Sequence, residues 1–141
     1  MTAASNAPLG AARALRGAIH ARLAADTPLQ ALVGNAIHDV PPKDAAFPFV
    51  TLGEAVVSDW STATEGGSEQ ALTLHVFSRQ GGRAEALAIA SAVQEALHEA
   101  PLALDGHRLA NLRATTAEIR RDSDGRTFHG LVRFRAITEP L

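Results

Sequence analysis

The sequence contains no cysteine and no tyrosine, one tryptophan (Trp60) and one lysine (Lys43). Without cysteine there is no disulfide and no thiolate metal site, which fits a reducing compartment or a particle assembled in one. Single-stranded nucleic acid is gripped by stacking aromatics set beside basic residues, and no such interleaving occurs. No apolar run approaches the roughly 20 residues of a membrane span, so no membrane partner is expected. The N-terminus, MTAASNAPLGAARALRG, lacks the compact apolar stretch of a secretory signal. Arg13 and Arg16, with no acid before Asp26, leave a transit peptide open. The simpler reading is a flexible tip over residues 1–7 leading into a single domain over residues 8–141.

The formal net charge is −2 over 141 residues, which predicts no broad affinity for nucleic acid. The charge is uneven. Residues 101–141 hold seven arginines against five acids.

Periodicity supplies the elements. Leu15, Ile19 and Leu23 recur every four residues and predict a helix over residues 8–25, with Arg22 at the edge of the apolar stripe. Asp26-Thr27-Pro28 ends that helix and caps a short turn through Leu29, Leu32 and Val33, which Gly34-Asn35 closes. An extended piece, residues 36–40, runs into Pro41-Pro42, which forbid central-sheet pairing there. FPFVTLGEAVV (residues 47–57) reads as a strand, with Pro48 at its start. Residues 58–69, SDWSTATEGGSE, read as a long mobile connection. Residues 70–79 form the next strand, with Leu72, Leu74 and Val76 on one face and Thr73, His75 and Phe77 on the other. After Gly81-Gly82, residues 83–99 form a helix whose apolar stripe is Ala86, Ile89, Ala90, Val93 and Leu97. Two long strands, 107–121 and 126–138, flank Asp122-Ser123-Asp124-Gly125, which has hairpin-turn chemistry. In the last strand Phe128, Val132, Phe134 and Ala136 share a face, and His129, Arg133 and Arg135 share the other. The expected fold is α+β: a four-stranded, mostly antiparallel sheet with two helices packed on one face.

The residues that carry chemistry elsewhere are missing. No HExxH, Walker lysine or GxGxxG is present. No serine lies in the GxSxG or SxxK setting that activates a nucleophile. Gly81-Gly82 between Arg79 and Arg83 has the strand-to-helix layout that can hold an anion on helix amides, but a tight turn accounts for the same residues. Asp122-Ser123-Asp124-Gly125 lacks the further oxygen ligands of a calcium loop. No catalytic residue, metal ligand or cofactor is expected.

Three pieces in order resemble a phage-derived family of small tail-completion proteins, the tail terminators. They are IHDVPPKDAAFPFVTLGE, LHVFSRQGGRAEALAIASAVQEALH and RRDSDGRTFHGLVRFRAITEP. The likeness is greatest to the terminator of bacterial gene transfer agents. It implies a non-enzymatic subunit of a virion-like particle, assembled in the host cytoplasm and placed at the head–tail junction. It implies a homo-oligomer, a hexameric ring that caps the head-proximal end of the tail tube. The implied partners are the major tail tube protein and a head-completion or stopper protein, with DNA passing through the ring without sequence-specific binding. The family carries no catalytic residues to transfer. Candidates for the assembly interface are Asp59, Trp60, Thr62 and Glu65 in the polar connection, and Arg133 and Arg135 on the polar sheet face. The competing readings are another tail or connector component (a tube subunit or stopper) and, from a different class, a small anion-binding domain or hydrolase.

Overall fold

The computed structural model describes residues 8–59 and 66–141, and the expected tip at residues 1–7 lies outside them. Helix α1 (Pro8–Ala24) buries Ala11, Leu15, Ile19 and Leu23, the four-residue repeat of the sequence. Arg22, beside that stripe, donates from Nε to the carbonyl of Ala96 at 3.2 Å. A cation there satisfies a carbonyl left over at the end of another helix. Helix α2 (Thr27–Val33) is longer than the single turn expected. The Asp26 carboxylate accepts from the Leu29 amide at 3.0 Å, and Gly34, at φ 61°, donates to the Gln30 carbonyl. Each end is therefore capped by the residue type that suits it.

Strand β1 (Ile37–His38) lies parallel to β2 (Phe49–Asp59), and β2 pairs antiparallel with β3 (Ser68–Ser78). Helix α3 (Ala84–Leu97) then leads to β4 (Ala103–Leu104), β5 (His107–Arg121) and β6 (Phe128–Pro140). The strand order is β1-β2-β3-β6-β5-β4. β6 is thus inserted between β3 and β5, and α3 carries the chain across it. β2 has a bulge between Leu52 and Ala55, and β5 has irregularities at Leu109/Asn111 and Ala114/Thr116. Bulges add local twist, and the sheet curls into a half-barrel.

The expected sheet of four strands with two helices is therefore incorrect. Among the described residues the sheet has six strands, one pair of them parallel, and there are three helices. The additions are short. β1 and β4 have two residues each, too few for any periodicity to register. β4 turns into β5 through Asp105-Gly106, with Gly106 at φ 76°. Asp-Gly is a strong hairpin signal, but the strand that enters it is only two residues long and follows closely on Pro101. The polar connection is also shorter than expected. Ser58 pairs with Glu69 and Asp59 with Ser68. Ser68 is buried and its hydroxyl lies 2.6 Å from that of Thr138, so a polar residue here serves a strand.

One apolar cluster joins the three helices to one face of the sheet. Leu15, Ile19, Leu23, Ile89, Val93 and Leu97 meet Val50, Leu74, Val76, Val132 and Phe134. The stripe read from residues 86–97 is the buried face of α3. At Gly130 on β6 a Cβ would stand 2.9 Å from Ile119 Cδ1 and 3.2 Å from Val76 Cβ, so the neighbouring strands' side chains close over the missing one.

Val93 is fully buried and Glu95 is exposed. Val93→Asp should destabilise the fold by several kcal/mol, because an unpaired carboxylate enters the core. Glu95→Ala should change stability by less than about 0.5 kcal/mol. Urea melts of the two variants check this, and equal midpoints would contradict the assigned face.

Candidate functional site

The helices cover one face of the sheet, and the other carries the candidate residues. Alternation along β6 sends Phe128, Val132, Phe134 and Ala136 into the core and His129, Arg133 and Arg135 outward, as their burial records. Register sets the neighbours. Arg133 lies opposite Thr73 and Thr116, and Arg135 lies opposite Ala71 and Arg113. Both terminal nitrogens of Arg133 donate to Glu118 Oε1 at 3.2 Å, Arg135 is ion-paired with Glu69, and Arg108 with Glu139. The face is thus laced by cross-strand pairs. The side chains of Arg133 and Arg135 remain 40% and 42% exposed, so solvent screening keeps each pair's contribution to stability small. Arg113, on the neighbouring strand, is exposed.

The other end of this face is aromatic. Phe47, Phe49, Phe77 and His129 follow one another with ring centroids 5.0, 5.0 and 4.5 Å apart, and Arg79 lies 4.1 Å above Phe47. Beside them His75 Nδ1 is 2.6 Å from His129 Nε2, His75 Nε2 is 2.8 Å from Glu54 Oε1, and His129 Nδ1 is 3.5 Å from Asp122 Oδ1. The His75 hydrogen bond, with help from the residue's own backbone amide, lowers the Glu54 pKa. Burial first, then the charge of His75, lowers that of His129. Sequence reasoning missed this chain of four. Strand alternation put His75 and His129 on outward faces, but neither the register nor the bulge that presents Glu54 leaves a sequence signal.

The β2 edge carries another unforeseen contact. Arg16 from α1 donates to the carbonyls of Leu52 and Gly53 and is ion-paired with Asp39, its Nε standing 2.6 Å from Oδ1. Between α1 and the bulge lies a mostly apolar groove of about 210 Å³, lined by Ala12, Ile19, Leu52, Leu72 and Leu74. Of the candidates in the polar connection, Asp59 ends β2. Trp60, Thr62 and Glu65 lie outside the described residues.

The other chemical readings lose their parts. Arg79, beside the Gly81-Gly82 turn, donates to Thr127 Oγ1 at 2.9 Å, and Arg83 lies 5.3 Å over Phe128. At the start of α3, Glu85 accepts from Ser78 Oγ at 2.7 Å, so a carboxylate already stands near the helix amides. In the β5–β6 turn, Asp124 accepts from the amides of Arg126 and Thr127 and from the Thr127 hydroxyl. Both carboxylate oxygens are therefore committed to the turn, as a hairpin needs. Among the described residues no group of three or more histidine, cysteine or acidic side chains is placed to hold a metal ion.

The Asp124 carboxyl is held down to about 2, first by the Thr127 hydroxyl and then by the two amides. A lowered carboxyl pKa stabilises the fold above the ordinary value of 3.8 and ceases to do so as pH falls through about 2. Thr127→Val should bring the Asp124 midpoint back toward the ordinary value, measured by carboxyl NMR titration. An unmoved midpoint would show that the hydroxyl is not the main cause.

Three comparisons extend the geometry. The family model described as "Tail completion protein gp17" matches residues 17–139. The tail completion protein gp17 of Bacillus phage SPP1 is 34% identical over 127 residues, covering 89% of this chain and 92% of that protein. A chain from the virion of a native gene transfer agent (GTA) particle superposes with a TM-score of 0.87 at 38% identity, covering 92% of this chain and 97% of that one.

Proposed function

This chain belongs to the tail completion protein gp17 family and is a structural component of a phage-like tail, and from that premise we propose that it closes the tail as a ring. Six copies stand at the head-proximal end of the tube, stop its growth and present a surface to a head-completion or stopper protein. DNA passes through the hole without being read. The subunit is non-enzymatic. The observation that carries this reading is the whole-length match to a chain of a gene transfer agent virion, with near-complete coverage on both sides. The fold is suited to it. A subunit with one covered and one open sheet face has surface to give to neighbours, and a head-to-tail contact that closes on itself makes a cyclic oligomer. Electron microscopy of assembled tails should find six copies at one end of the tube. A protein that is monomeric both free and on particles would contradict the ring, and copies along the whole tube would make it a tube subunit.

Arg133 and Arg135 serve assembly more than folding on this reading. Their pairs are exposed and screened, yet arginine suits subunit contacts because its planar fork binds carboxylates in two places. Asp59, Trp60, Thr62 and Glu65 serve assembly in the same way on this reading. The double variant Arg133→Gln/Arg135→Gln should melt within a few degrees of the parent, since exposed pairs contribute about 1 kcal/mol or less each. Particle yield should nevertheless fall about tenfold, the effect of losing about 1.4 kcal/mol at a subunit contact. Undiminished yield would reduce both to solvated surface residues.

A further inference from the structure

The chain Glu54–His75–His129–Asp122 has a proton count that selects one charge state. Its links are Glu54 to His75, His75 to His129, and His129 to Asp122. Carboxylates only accept, so the Glu54 link needs an N–H on His75, the 3.5 Å ion-pair approach of Asp122 favours a proton over a lone pair on His129 Nδ1, and the central link needs one more N–H between the rings. Two neutral imidazoles carry one N–H each, one too few. Two imidazolium rings carry two each, and the central contact would then set N–H against N–H at 2.6 Å. Only the singly protonated pair completes every link.

We propose that His75 and His129 share one proton and act as a pH-operated strap across the open sheet face, fastening the β2 bulge to the β5–β6 turn until a second proton opens it. The attachments span the sheet. Glu54 sits in the bulge of β2, His75 on β3, His129 on β6, and Asp122 follows β5. The charged groups facing the pair are few. Glu54 and Asp122 favour a proton on it. Arg120, opposite His129 in register, opposes one, and Arg133 and Glu118 are paired with each other. The Phe77 ring lies against both imidazoles, at 6.2 Å from His75 and 4.5 Å from His129. The histidine side chains are only 15% and 12% exposed, so water does not readily replace a lost link. The lowered pKa of His129 agrees with resistance to the second proton. A lowered imidazole pKa stabilises the fold above the ordinary value of 6.5 and is a source of instability as pH falls through the lowered one.

The test is a titration of the nitrogen-15-labelled full chain by long-range imidazole NMR from about pH 4 to 9. The pair should titrate in two steps about two units or more apart. In His75→Gln and in His129→Gln the remaining ring should titrate in one step. Amide hydrogen exchange at Gly53 and Glu54 should quicken about tenfold or more through the second step in the parent alone. Rings that titrate independently in the parent, with the midpoints of the single variants, would overturn proton sharing. Exchange that does not respond to the second step would overturn the strap. Should a histidine variant fail to fold, Glu54→Gln at a largely exposed position replaces it. That variant should lower the first step, and an unchanged titration would again overturn the proposal. None of these readouts depends on ring formation.

Discussion

The pairing of β6 on both sides is the constraint from which the remaining geometry follows. β6 joins β3 from Phe128 to Thr138 and β5 from Phe128 to Pro140. A strand paired along both edges cannot slip by one residue without sending its whole core face to solvent. Val132, Phe134 and Ala136 are therefore fixed beneath α3, and their alternates are fixed outward. The same parity that builds the core delivers His129, Arg133 and Arg135 to the open face, so fold and surface are a single consequence of one register. Gly130 belongs to that constraint, because Ile119 and Val76 close over the space a side chain would need.

Much of this was legible in the sequence because it rests on repetition. The stripes of α1 and α3, the alternation of β3 and β6, and the Asp-Ser-Asp-Gly turn each repeat a physical period or a turn preference over enough residues to stand out. What was not legible is short, irregular or long-range. Ile37–His38 and Ala103–Leu104 are strands only because a neighbour pairs with them. Ser58, Asp59 and Ser68 looked like loop residues because their polarity hides a paired strand end. The outward placement of Arg133 and Arg135 followed from parity, but their partners Glu118 and Glu69 needed the register. The Glu54–His75–His129–Asp122 chain needed both the register and the β2 bulge. Membership of a tail completion family rested on the order of three unremarkable pieces, none of which carries chemistry by itself.

A structural role also accounts for what the open face lacks. Arg133, Arg135 and Arg108 are answered by Glu118, Glu69 and Glu139 across the strands, while Arg113 and Arg120 are exposed, so most of the charge is laid out in pairs rather than as one positive field. Such a surface has little pull on a polyanion. It still offers many oriented donors and acceptors to a protein surface of complementary pattern, which is where charge arrangement contributes to specificity and register.

Arg16 has a consequence for the protein before it meets any partner. The exposed edge of a sheet is a template on which further strands can add, and soluble proteins must blunt such edges to remain dispersed. Here β1 occupies the edge of β2 at Val50 and Thr51, and the guanidinium of Arg16 occupies the carbonyls of Leu52 and Gly53, anchored by Asp39. The bulge then turns the strand out of line. Of the eleven residues of β2, the first, Phe49, and the stretch from Glu54 onward lack these covers. That is a short template for open-ended growth, and copies accumulating ahead of use are thereby shielded from aggregating through this edge.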